Sequence, residues 1–559
     1  MSRSSRVSRL LGAALVVAPL VAAPPALGAQ NGALPMKLPP RPTTGTITVP
    51  DLMTRLYRIA DDSMGGRPTG SEGHVKVTQY IADELRRLGL QPAGENGTYF
   101  QDIGMERRGF AASSSVSVGG RSFSIGDDFV PLLARGGRAR SVSSAEIVVG
   151  GMQGDSTTWI SADAARGKVV VLRPNPRRLQ LEQRFMAFGP ASRFGTAAAV
   201  VLPVLPQLAM PTRRQLSQPS LVMGGGAQSG AEVPPTLLAS PEMAEALIAV
   251  AGQSASLALR YEVTPAPGRN VVAVLPGRDP ALRGQYVALG AHTDHDPLNA
   301  TAVDHDSLRA FNLARERMLR ASGERRATPQ QLANIRVDAN AARAGRAARA
   351  DSIKNGADDD GSGTVVLLEL AEQFATAAQK PRRSLLFVFH VAEEIGLLGA
   401  DYYTEHPTVP LDSVVAQLNM DMVGRGGVDD IAGGGPGYLQ LVGSRRLSRE
   451  LGDLVEEVNR KQPQPFTFDY SFDADGHPER IYCRSDHAMY ARYGVPVTFF
   501  HTGLHHDYHQ VTDEPQYIDY EKMARIATLI HDVTLELGNR ATRPKLDGPK
   551  PNPGEACRQ

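Results

Sequence analysis

The residues best equipped for chemistry are histidines and carboxylates that follow apolar runs. His292 and Asp294 come after YVALGA, Glu393 and Glu394 after SLLFVFHVA, Asp421 after VVAQLNM, and His509 in the loop beyond VPVTFF. A further acidic run, Asp358, Asp359 and Asp360, stands just before GSGTVVLLELAEQFA. Singly, each has an ordinary reading. Aspartate ahead of a helix caps it, and Glu393 and Glu394 suit the positive end of a helix dipole. Together they do not, because unpaired carboxylates at the ends of apolar strands are costly unless cations are bound among them. The pattern therefore predicts a metal site of imidazole and carboxylate. Cys483 and Cys557 are the only cysteines, which excludes a thiolate cluster. A bond between them suits an oxidising compartment, although Cys557 lies in a Pro-rich polar tail expected to stay mobile.

Such residues need strands whose carboxyl ends converge. After Gly268 the chain alternates apolar strands (NVVAVLPG, QYVALGAHTD, SLLFVFHVAEE, VVAQLNMDM, VPVTFFHTG) with helices (TVVLLELAEQFA, LLGADYY). That rhythm predicts an α/β sheet covered on both faces, in which ligands bind beyond the carboxyl ends of the strands. Helical periodicity runs from Val49 to Leu90, ended by Gly89 and Pro92. Between Ser113 and Glu262 short β-rich runs separated by Gly and Pro predict a separate β-rich unit. Residues 299–352, rich in Ala and Arg, read as a helical insertion over the sheet edge, either a solvated face or a lid.

At 559 residues, more than one folded unit is expected. A formal charge of +1 gives no electrostatic footprint for nucleic acid or an anionic membrane. The basic start MSRSSRVSR, the apolar LLGAALVVAPLVAA and the small residues ALGA have the order of a signal peptide over 1–29, so export to the periplasm or outside is expected. Residues 30–44 read as a linker, 541–559 as a mobile tail, and no stable membrane span is expected once the leader is removed.

The segments GAHTDHD, NGADDDGSG, VAEEIGLLGADYY, NMDMVGR, SDHAMYARYGVPVTFF and DYHQVTDEPQYIDY, in this order, resemble the zinc exopeptidases that include bacterial leucyl aminopeptidases and glutamate carboxypeptidase II. The resemblance implies a zinc-exopeptidase-type mixed sheet with helices on both faces, formed by 45–112 and 266–540. It also implies two Zn2+ per chain and a peptide or protein substrate. By position, His292 would hold one zinc and Asp294 would orient it, Asp359 would bridge, and Asp421 would complete the first zinc. Glu394 and His509 would hold the second, with His505 and His506 as rivals for the last role. Glu393 matches the general base, and Tyr508 the hydrogen-bond donor to the oxyanion. GKVVVLRP, GTAAAVVLP and VPPTLLASPEMAEALI resemble the protease-associated domain, placing such an insert at 113–265. The implied reaction is peptide hydrolysis, with an aminopeptidase leading. A carboxypeptidase or dipeptidase of the same family, a glutaminyl cyclase, and a noncatalytic receptor-like binding module are the alternatives.

Overall fold

The computed structural model describes residues 36–559 apart from 135–136, 176–187, 225–230 and 325. The expected leader and the start of the linker lie outside the described residues.

Four parallel strands form the middle of the main sheet, in the order Ser384–His390, Tyr286–His292, Val414–Met420, Val497–His501. Gly268–Leu275 flanks them antiparallel on one side and Tyr438–Val442 on the other. Ser384–His390 and Val414–Met420 are buried throughout, as strands covered on both faces must be. Their side chains alternate between two cores. Leu385, Phe387 and Phe389 meet Leu52, Leu56, Val77, Leu370, Met523 and Ile530 of the helices Val49–Ile59, Glu72–Arg87, Gly363–Thr376 and Tyr520–Asn539. Leu386 and Val388 point the other way, toward Tyr403 and Tyr490 of Leu398–Glu405 and His487–Ala491. The chain leaves Tyr286–His292 for the strand on one side, Ser384–His390, and then returns to the strand on its other side, Val414–Met420. This reversal opens a crevice at the carboxyl ends of the strands.

The helical periodicity over Val49–Leu90 resolves into two helices. They are separated at 60–71, where Gly65, Gly66, Arg67 and Gly70 all take positive φ. Beyond the second helix, Met105–Phe110 leaves the main-sheet half and Tyr261–Pro265 returns antiparallel beside it. The β-rich unit between them therefore begins and ends at one place. Its eight-stranded sheet has a parallel core of Ser144–Met152, Val169–Arg173, Ala199–Leu202 and Thr236–Ala239.

Two expectations are corrected. Residues 36–44 lie against the main-sheet half rather than reading as a bare linker: Thr43 Oγ1 donates to Glu372 (2.6 Å) and the Thr44 N–H to Asp51 (3.0 Å). The tail is docked, because Cys557 is bonded to Cys483 and Arg543 donates to the carbonyls of Asp412 and Val414. A covalent tie and backbone acceptors outweigh its polar composition. Among the described residues no helix is long and apolar enough to cross a membrane.

Candidate metal centre

The parallel strands deliver their terminal residues to one edge. His292 ends Tyr286–His292, Glu393 and Glu394 follow Ser384–His390, and Asp421 follows Val414–Met420. Asp359 comes from the wide turn Ala357–Ser362 that leads into the helix Gly363–Thr376, after a cis Asp359–Asp360 peptide. His509 enters from the loop beyond Val497–His501.

Asp359 stands between two histidines. Its Oδ1 is 3.2 Å from His292 Nε2 and its Oδ2 is 3.0 Å from His509 Nε2. Asp421 Oδ1 lies 3.7 Å from His292 Nε2, and Glu394 Oε2 lies 3.1 Å from His509 Nε2. Despite these short approaches, neither Nε2 makes a hydrogen bond. Buried donor atoms that converge without hydrogen-bonding one another are what a cation-binding site requires. Two groups able to hold an ion share Asp359, one with His292 and Asp421 and one with His295 and Glu394. Asp296, Glu394 and His509 form a further group beside the second. His505 and His506 are turned elsewhere: His505 Nε2 faces Asp358 at 3.2 Å and His506 Nε2 faces Asp507 at 3.3 Å. Burial lowers the His506 pKa to about 4, as for a neutral interior imidazole.

Buried carboxylates fix the backbone beneath this cluster. Asp360, 1% exposed, accepts the N–H groups of Gly363 (2.9 Å) and Met422 (3.2 Å) on Oδ1 and that of His292 (3.0 Å) on Oδ2. It thereby joins three ligand-bearing segments, a wider role than capping. A Cβ at Gly363 would stand 2.4 Å from that Oδ1, so only glycine lets the helix start so close. Asp358 accepts the Gly424 N–H (2.7 Å), and Asp513 accepts those of Asp358 (3.0 Å) and Asp359 (3.1 Å). Ser485 donates to Asp421 Oδ2 (2.8 Å) and itself receives Asn419 Nδ2 (2.9 Å).

Asp294 differs from expectation in detail. Its carbonyl oxygen, not its carboxylate, is the nearer partner of His292 Nδ1, at 3.1 Å against 3.7 Å. The carboxylate instead accepts the Glu393 N–H (3.2 Å) and the Thr69 hydroxyl (3.0 Å), because the chain turns sharply after the strand and points it toward Glu393. Burial first, and then the charges of Asp421 and Glu394, push the Glu393 carboxyl well above its ordinary range. Glu393, Asp359, Asp421 and Tyr508 line one cleft, where Arg484 Nη2 donates to the Tyr508 hydroxyl (3.1 Å).

Some participants are absent from the sequence expectations. His295 Nδ1 lies 2.6 Å from Glu394 Oε1, and a Cβ at Gly356, where φ is +53°, would meet the His295 ring at 2.5 Å. The crowding of His and Asp in GAHTDHD is the one local signal for it. Arg67, fully buried in the break between the first two helices, donates to the carbonyls of Thr293 (3.1 Å) and Gly356 (2.9 Å), on both sides of the site. No local signal marks it.

The 299–352 insertion docks on the His509 side. Glu514, fully buried, pairs with His305 Nε2 (2.9 Å) and Arg349 (2.6 Å); Arg309 faces Asp507 (3.4 Å). Just past it, Lys354 pairs with Asp296 (2.7 Å), whose Oδ2 is 3.6 Å from His509 Nδ1. His305, Asp351 and Glu514 are also close enough to hold an ion, but Arg349 already supplies positive charge to both acids.

Residues 270–534 match the model of peptidase family M28. This part of the chain belongs to that family. The matched residues include all the converging groups and the four parallel strands of the main sheet, while the helices Val49–Ile59 and Glu72–Arg87 that complete one core lie ahead of them. Leupeptin-inactivating enzyme 1 of Streptomyces exfoliatus is 28% identical over 169 residues, 30% of this chain and 33% of that protein. A vacuolar membrane protease of Aspergillus flavus is 40% identical over 79 residues, 14% of this chain and 9% of that protein. The chain thus matches a third or less of the length of these relatives. The zinc aminopeptidase BSAP from Bacillus subtilis is 17% identical, covering 89% of this chain and 97% of that one with a TM-score of 0.47. An aminopeptidase from Aneurinibacillus sp. strain AM-1 is 16% identical, covering 90% and 98% with a TM-score of 0.46.

Proposed function

We propose that this chain is a metallopeptidase that hydrolyses peptide bonds with two zinc ions, acting as an aminopeptidase that releases N-terminal residues. The observation that carries the reading is Asp359, whose two oxygens face the buried Nε2 atoms of two different imidazoles, neither of which makes a hydrogen bond there. His292, Asp359 and Asp421 would hold one ion and Asp359, Glu394 and His509 the other; imidazole and carboxylate without thiolate suit zinc in an open site. Zinc there acidifies water and polarises a carbonyl.

The protein's own part is to hold and move protons. The Glu393 carboxylate would take a proton from water in the cleft and return it to the departing amine. Asp294 aims it by accepting its backbone N–H. The Tyr508 hydroxyl would donate to the carbonyl oxygen as charge develops there, with Arg484 fixing its position. The acidic surroundings favour a free α-ammonium on the substrate. Arg484 in the same cleft favours a second reading, a carboxypeptidase or dipeptidase recognising a terminal carboxylate.

Export belongs to this proposal, supported by the Cys483–Cys557 bond, which suits an oxidising compartment. We also read the β-rich unit as a protease-associated domain. The test is hydrolysis of unblocked and N-blocked aminoacyl anilides with and without a chelator. Cleavage of the unblocked series alone, lost on chelation, supports the aminopeptidase. Cleavage unaffected by chelation sinks the metal mechanism.

A further inference from the structure

A cleft opens in front of Glu393 and Asp421. Met422, Ile481, Phe499 and Leu504 give it apolar walls, and the imidazole of His501 lines it among them. His501 closes the strand Val497–His501 and is 2% exposed. Its Nδ1 lies 2.8 Å from the carbonyl oxygen of Asp421. A carbonyl only accepts, so the ring proton sits on Nδ1 and Nε2 carries a lone pair. That Nε2 has no hydrogen-bond partner among the described residues and no contact with solvent. A buried acceptor left unpaired is unfavourable, and a donor brought by a ligand relieves it.

We infer that His501 makes this cleft select, at the residue contributing the scissile carbonyl, a neutral side chain with an apolar body and an O–H or N–H donor. The inference rests on the peptidase reading of the cleft. Apolar walls favour the body of such a side chain, and the fixed tautomer supplies the acceptor. Arg484 has only donors to offer and is engaged with the Tyr508 hydroxyl, so it does not substitute for His501.

The test uses the full chain loaded with zinc and matched pairs of aminoacyl p-nitroanilides: tyrosine against phenylalanine, threonine against valine, glutamine against methionine. One satisfied hydrogen bond is worth about a tenfold preference in kcat/KM for the donor-bearing member of the pair whose length reaches Nε2. That ratio falls to about one in His501→Phe, which lacks the acceptor. It falls likewise in His501→Asn, whose amide retains a donor toward the Asp421 carbonyl. Ratios near one in every pair for the native chain overturn the inference, as does a preference that survives both substitutions or a glutamate anilide cleaved faster than glutamine. Should either variant fail to fold, the native ratios decide alone. Failure to cleave any anilide refutes the peptidase reading itself, a result distinct from cleavage without donor preference.

Discussion

Asp360→Asn tests whether one buried carboxylate organises the site. In the native chain Asp360 accepts two N–H groups on Oδ1, from Gly363 and Met422, and one on Oδ2, from His292. Asparagine keeps a single accepting oxygen and turns an NH2 toward the remaining N–H, donor against donor. Burial and the neighbouring Asp421 and Asp359 charges push the Asp360 carboxyl well above its ordinary range, so the lost hydrogen bond counts as an ordinary one, about 0.5–1.5 kcal/mol, and a buried N–H is left unpaired, about 1–3 kcal/mol more. Allowing for relaxation, the metal-free chain should lose about 2–3 kcal/mol of stability, read as a lower midpoint in urea unfolding followed by circular dichroism. His292 and the backbone beside Asp421 move with Asp360, so zinc affinity at that cluster should also fall about 10–100-fold in a competition titration. Asp358→Asn, which disturbs one N–H bond and the His505 pair, should do less. A loss under about 0.5 kcal/mol with unchanged zinc affinity would refute the hub assigned to Asp360.

Glu393→Gln should abolish anilide turnover, by at least about 10²–10⁴-fold, while elemental analysis still finds the native zinc content; retained activity would rule it out as the base. Arg349→Met removes the arginine paired with the buried Glu514 carboxylate. It should lower stability by about 2 kcal/mol and weaken binding at the Glu394–His509 cluster about tenfold, both seen in a zinc titration coupled to thermal melting. Cys557→Ser opens a crosslink of sequence separation 74 and should cost about 4 kcal/mol in the chain-entropy account, with enhanced proteolysis of residues beyond 541. Burial lowers the pKa values of His74 and His506 to about 4 and of His487 to about 3. The unfolded chain then binds more protons below about pH 6.5, so stability is present above that value and lost as pH falls toward 4. The slope approaches about 1.4 kcal/mol per pH unit for each histidine. Glu369, raised to about 7, and Asp513, raised to about 6, act with the opposite sign in this window, so the check is a difference: His487→Phe should remove its share of the slope, and an unchanged slope would contradict the assignment.

The main sheet was legible because its strands are buried on both faces and its helices carry long apolar periodicities, signals that lie within single segments. The edge at which His292, Glu393, Glu394 and Asp421 meet followed from the same pattern, since parallel strands share one carboxyl end. What the sequence concealed depends on long-range contact. Arg67 falls within the Val49–Leu90 span whose periodicity reads as helical, yet its guanidinium reaches carbonyls more than two hundred residues away. Asp360 looks like a helix cap until the two distant N–H groups it accepts are seen. The tail's polar composition spoke for mobility, and only the pairing of Cys557 with Cys483 reveals where it is held. The insertion was ambiguous for a related reason. Its arginines resemble any solvated basic face until Glu514 and Asp507 are found opposite them.

The two halves of the centre are held differently, and this bears on how the chain would work. His292 is 1% exposed and its cluster rests on Asp360, Asp358 and Ser485, all set in the core of the M28 region. His509 is 31% exposed at its side chain and rests on a surface loop. Arg309 and Arg349 of the insertion engage that loop at Asp507 and Glu514, and Lys354 reaches it through Asp296. Rigid packing around the first cluster makes its geometry insensitive to changes at the surface. The second cluster depends on ionic contacts that a shift of the insertion would loosen together. Asp359 belongs to both, and its backbone is held through Asp513, one residue from Glu514. A disturbance of the insertion can therefore reach the shared carboxylate through a single peptide unit, while the β-rich unit meets the site from another side, where Leu221 and Met223 pack with Val391 and Ala392 just ahead of Glu393.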